Sequence, residues 1–160
     1  MQNIILLGSV KFLHDLFTAI WIGGLITMSF AVLPSLKSAL KMTPEGKALS
    51  EAIMSRLSKL VLISIVGLFI TGIMLTNTSP LFEGYLSISN QYSLMLTLKH
   101  ILIGLMVLLS IARSRILKHV SFTNPKQEAK ISATLLFLNT IIGIIVLLLS
   151  GFISAFGVLV

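Results

Sequence analysis

Three histidines, seven methionines and no cysteine make up the metal-binding repertoire of this sequence. Without thiols there is no disulfide, no thiolate zinc site, no iron–sulfur ligation and no cysteine nucleophile. Imidazole and thioether remain. Both suit copper, and thioether favours Cu(I). Two imidazoles, or one imidazole with a thioether, also hold a haem iron. His14, His100 and Met74 carry these groups inside long apolar stretches. Lys11, Asp15 and Lys99 are the other ionisable groups there. Ionisable side chains in hydrocarbon are costly, so they mark functional or paired positions.

The elements that must position these residues follow from composition. Of the 160 residues, 56% are hydrophobic and 11% charged, against roughly 25% charged in ordinary soluble domains. The mean hydropathy is +1.03. A soluble domain of this length cannot hide so much apolar surface. Crossing ~30 Å of hydrocarbon takes ~20 helical residues at 1.5 Å each. Helices are expected at about 4–34, 44–78, 91–119 and 125–158 of a single domain, 1–160. The expected fold is an all-α integral membrane protein, a four-transmembrane-helix bundle. Thr43-Pro44-Glu45 and Asn124-Pro125 are helix starts, with a capping side chain followed by proline. The first stretch lacks a basic leader and a small-residue cleavage motif, so it reads as a span, not a signal peptide.

The net charge of +7 sits almost wholly in two loops. Lys37, Lys41, Lys47, Arg56 and Lys59 fall in one; Arg113, Arg115, Lys118, Lys126 and Lys130 fall in the other. The connection from Thr76 to Gln91 has no basic residue and carries Glu83. By the positive-inside rule both basic loops are cytoplasmic and both termini non-cytoplasmic. The charge is therefore a topology signal that also meets anionic lipid, not a nucleic-acid footprint. A multi-pass protein of the cell membrane is expected.

In lipid, small and polar residues mark the interior of a bundle. Ser64, Gly67, Thr71, Met74 and Thr78 form such a stripe on the second helix. Ser93, Thr97, His100 and Gly104 form one on the third. Ser132, Asn139, Gly143, Ser150, Ser154 and Gly157 form one on the fourth. On the first helix His14, Thr18, Trp21 and Met28 lie near one line, and Gly23 and Gly24 beside it allow close approach of a neighbour. With this topology His14 lies ~9 Å and His100 ~3 Å to the outer side of their helix centres, at 1.5 Å per residue. The spacing thus predicts His14, His100 and Met74 converging in the outer half of the bundle. Asp15 is placed to pair with Lys11 or Lys99, or to orient a ligating imidazole. His119, beside Lys118, reads as a solvated residue. The plainer alternative is that the histidines only hydrogen-bond neighbouring helices.

His14 followed after six residues by Trp21-Ile22-Gly23-Gly24 resembles the first-helix pattern of the CopD family, the copper-resistance D membrane domains. Arg56, Thr71-Gly72 and the run from Tyr92 to Leu98-Lys99 resemble that family's layout further along the chain. The resemblance implies a four-helix module for copper uptake or tolerance. It implies His14 as a ligand, with Trp21, Gly23, Gly24 and Lys99 as framework. The same histidine and lysine layout is similar, more distantly, to HemJ-type protoporphyrinogen oxidases, which bind haem b. That pattern has a proline-arginine pair after the first helix, where this chain has Pro34-Ser35.

Three functions are weighed on these residues. The first is copper handling, with His14, His100 and Met74 as ligands and Met28 as a next station, in a homodimer or larger membrane complex. The second is a haem-b redox protein with His14 and His100 as axial ligands. Gly23, Gly24 and Gly104 would make room for its porphyrin, with Trp21 grouped beside them as a cofactor-binding residue. The third is a non-catalytic subunit of a membrane complex. Whether the chain is an enzyme stays open. It has no glycine-rich phosphate loop, no Ser-His-Asp constellation and no HExxH.

Overall fold

The computed structural model describes residues 4–40, 43–119 and 125–156. Every regular element in them is helical, and there is no strand among the described residues. The order is α1 (Ile4–Thr27), a π-helical turn (Met28–Val32), α2 (Leu33–Leu40), α3 (Pro44–Thr76), α4 (Gln91–His119) and α5 (Pro125–Phe156). Among the described residues, four helical runs are long and apolar enough to cross a membrane: Ile4–Ala39, Pro44–Thr76, Gln91–Ser114 and Gln127–Phe156. The expected membrane-spanning, all-helical class is therefore observed. Large apolar side chains such as Phe12, Phe69, Leu62 and Leu108 stand exposed, which hydrocarbon tolerates and water would not.

The first helical run continues past Pro34 to Leu40, beyond the expected end near residue 34. Pro34 has no N–H, and in a regular helix its ring crowds the carbonyl four residues back. The wider turn just before it relieves that conflict: the Leu33 N–H reaches Met28 O, a bond one residue longer than the α-helical one. The start of α3 has a simpler cause. Thr43 is extended (φ −66°, ψ 159°), its Oγ1 accepts from the Gly46 N–H at 3.3 Å, and Pro44 and Glu45 fill the first turn.

The chain divides into two compact units, Met1–Thr78 and Ser79–Val160. In the first, α1 and α3 pack antiparallel. Gly24 lies against Leu57, Phe17 against Gly67, and His14 against Thr71. Trp21 and Leu25 of α1, Met28 of the π-helical turn, and Ser64 and Thr71 of α3 are buried. The inner stripes expected for these two helices are therefore largely the packed ones. Met74 and Thr78 depart from the stripe: Met74 is 41% exposed, and Thr78 is exposed beyond the end of α3.

In the second unit, α4 and α5 pack antiparallel. Asn139 Nδ2 donates to Ser110 Oγ at 2.9 Å, and Arg113 Nε donates to Ser132 Oγ at 3.0 Å. Met106, Leu136, Thr140 and Val146 are buried around these pairs. The stripe expected for α4 lies elsewhere, roughly two fifths of a turn round the helix from Met106, Ser110 and Arg113 at about 100° per residue. Ser93 and Thr97 are buried, but their hydroxyls donate to carbonyls of the 79–90 segment: Ser93 to Leu81 at 3.4 Å, Thr97 to Ser87 at 2.9 Å. Asn90 caps α4 by accepting from the Ser93 N–H at 2.7 Å, and its amide donates to Leu81 O. Of the expected α5 stripe, Asn139 and Gly143 are buried, Ser150 is half-buried and Ser154 exposed. Gly157 and the side chain of His119 lie outside the described residues.

Candidate functional site

His14 is half-buried on α1, and its Nδ1 stands 2.9 Å from Thr71 Oγ1 of α3. The direction of that bond follows from the next one. Thr71 donates its only hydroxyl proton to Gly67 O at 2.7 Å. Its oxygen must therefore accept, so His14 Nδ1 carries the proton. In the neutral ring the lone pair then resides on Nε2. The ring packs over Gly72, where a Cβ would meet His14 Cε1 at 3.6 Å, an ordinary contact, so the position does not require glycine. Thr18 Oγ1 donates to His14 O at 2.8 Å and steadies the same turn from below.

His100 of α4 reaches the same electronic state by another route. Its Nδ1 stands 2.7 Å from Leu96 O, and a carbonyl only accepts, so Nδ1 again holds the proton and Nε2 the lone pair. The ring is exposed and meets Tyr85 edge to face, with centroids 6.4 Å apart and planes at 79°. Tyr85 is brought there by the turn that contains it. Gly84 has φ 147°, a backbone conformation that favours glycine, and Ser87 N–H closes the turn on Gly84 O at 3.4 Å. His100 thus shares the side of α4 that Ser93 and Thr97 turn to the 79–90 segment, not the α5 side.

The remaining expected residues fall as follows. Trp21 is buried in the α1–α3 seam. Gly24 is a close-approach position, since a Cβ there would come within 2.8 Å of Leu57 Cδ1. Gly23 and Gly104 are open, with nothing within 4 Å of an added Cβ. Of the partners considered for Asp15, Lys11 is in place: Nζ lies 3.6 Å from Oδ2, both side chains largely exposed. Among the described residues no group of three or more His, Cys, Asp or Glu side chains gathers. The sequence pointed to Thr71 as a stripe residue but not as the partner of His14. It gave no signal for Tyr85 beside His100.

Four long apolar helices, with imidazoles set in two of them, define a multi-pass membrane protein. Residues 51–153 match the family described as CopD, Copper resistance protein D, and the chain belongs to that family. The matched stretch begins within α3 and ends near the close of α5, so His14 and Trp21 on α1 lie before it. No curated protein and no solved structure matches the chain.

Proposed function

We propose that this chain binds copper through the imidazoles of His14 and His100, in the non-cytoplasmic half of the membrane, for copper uptake or homeostasis. The observation that carries the reading is the shared state of the two rings. Each is fixed through Nδ1–H to an oxygen acceptor, and each presents its lone pair on Nε2. Metal-ligating histidines are ordinarily held in this way, with the distal N–H bonded to a carbonyl, a carboxylate or another oxygen. Membership in a family named for copper resistance supplies the metal. Imidazole nitrogen suits copper, and the donor set is neutral. Met74, exposed one turn beyond Thr71, is the thioether proposed to join them when Cu(I) is bound. The two basic loops, read as cytoplasmic by the positive-inside rule, support an outer location for both termini. A carrier with four spans is proposed to work as a homodimer or with a membrane partner.

A second reading has haem b on the same two imidazoles. The open space over Gly104, one turn from His100, favours it. Purification without added metal, followed by metal analysis and a visible spectrum, tests both. Copper without a Soret band supports the first reading. A Soret band lost in His14→Ala and His100→Ala supports the second. Neither copper nor haem at stoichiometric level, after copper loading, removes both.

A further inference from the structure

The seam between α1 and α3 holds two polar atoms that copper binding leaves unused. Trp21 Nε1 and Ser64 Oγ are buried, the residues being 2% and 1% exposed, and neither has a hydrogen-bond partner among the described residues. The helix register brings them to one level. Trp21 lies between Phe17, which faces Gly67, and Gly24, which faces Leu57. Ser64 lies between Gly67 and Leu57 on the opposing helix.

A helical serine or threonine commonly returns its hydroxyl to the carbonyl four residues back. Thr18, Thr71, Ser110 and Thr140 all do so. Ser64 does not, so its hydroxyl is directed elsewhere. An indole N–H can only donate; a hydroxyl can donate and accept. Buried groups of both kinds are nearly always satisfied, by protein or by an ordered small ligand. The side chains packed at the flanking glycines, Phe17 at Gly67 and Leu57 at Gly24, are apolar and offer no acceptor.

We propose that Trp21 and Ser64 together bind one water-sized hydrogen-bond acceptor, a water molecule or a halide ion, inside the α1–α3 seam. The indole donates to it, and the serine hydroxyl donates as well or, to water, accepts. Seven residues separate Trp21 from His14, ~10 Å along the helix. The seam therefore carries polar stations at two successive levels, His14–Thr71 and Trp21–Ser64. This site rests on α1–α3 geometry alone and stands whether or not His14 binds copper.

The chain has one tryptophan, so isotope-labelled protein in detergent micelles gives a single indole N–H resonance. In halide-free buffer a magnetisation-transfer peak from water to that proton is the expected result for bound water. A saturable shift of the same resonance on adding bromide is the expected result for a halide site. Ser64→Ala should abolish whichever signal is seen. A wild-type indole resonance that shows no water contact and ignores bromide overturns the proposal, as does a signal unchanged by Ser64→Ala.

Discussion

His14 donates its Nδ1–H to the Thr71 hydroxyl oxygen at 2.9 Å, and Thr71 in turn donates to Gly67 O at 2.7 Å. This relay joins α1 to α3 and fixes which nitrogen of His14 is basic. Its consequence is testable at Thr71. Thr71→Val removes the acceptor and releases the ring, while Thr71→Ser keeps it. Loss of a partner that orients a ligand costs about 10- to 100-fold in metal affinity. Competition against a chromogenic copper chelator should show that loss for Thr71→Val and near wild-type affinity for Thr71→Ser. Equal affinity in all three proteins removes the orienting role.

Packing in the first unit turns on Gly67. A Cβ at that position would collide with the Phe17 ring, so the ring would have to move. Gly67→Ala is expected to destabilise the protein by about 1–3 kcal/mol, the usual cost of overpacking. Gly23→Ala meets nothing and should be neutral, or stabilising by up to ~1 kcal/mol through helix propensity. Thermal unfolding in detergent compares the two; a Gly67→Ala midpoint equal to wild type contradicts the contact.

Within the second unit, Asn139 links α5 to Ser110 of α4 at 2.9 Å. Interhelical hydrogen bonds in membranes are worth about 0.6–2 kcal/mol. Asn139→Leu should lower stability by an amount in that range. Ser110→Ala should do the same, and the double variant should cost less than the two added together, because both remove one bond. Strict additivity in the same melts means the bond is not a unit.

Orientation can be read chemically because the chain has no cysteine. Ser38→Cys, in the last turn of α2 beside Lys37, should react with a membrane-impermeant thiol reagent only after the cytoplasmic face is opened. Leu86→Cys, in the exposed 79–90 segment, should react on intact cells. The opposite pattern inverts the topology and moves His14 and His100 to the cytoplasmic half.

The spans were legible because hydrocarbon demands long, uninterrupted apolar runs, and the chain has four. The inner faces of α1 and α3 were legible for a related reason: Trp21, Ser64, Gly67 and Thr71 are where two helices can approach or bond. The face of α4 was not. Ser93 and Thr97 look like bundle-facing residues, yet their hydroxyls answer carbonyls of Leu81 and Ser87. A polar stripe shows that a partner exists without showing whether it is a helix or a folded-back segment. Met74 illustrates the same limit, since a flexible thioether fits a stripe and a lipid face equally well. The π turn at Met28–Val32 had only Pro34 as a cue. The tautomers of His14 and His100, which carry the functional reading, depend on single bonds that no spacing rule encodes.

Copper stoichiometry of the purified protein, wild type beside His14→Ala and His100→Ala, is the most direct measurement of the central claim. Stoichiometric copper in the wild type, and its loss in each variant with the helical circular dichroism unchanged, is the predicted result. Copper retained in full by both folded variants would contradict it.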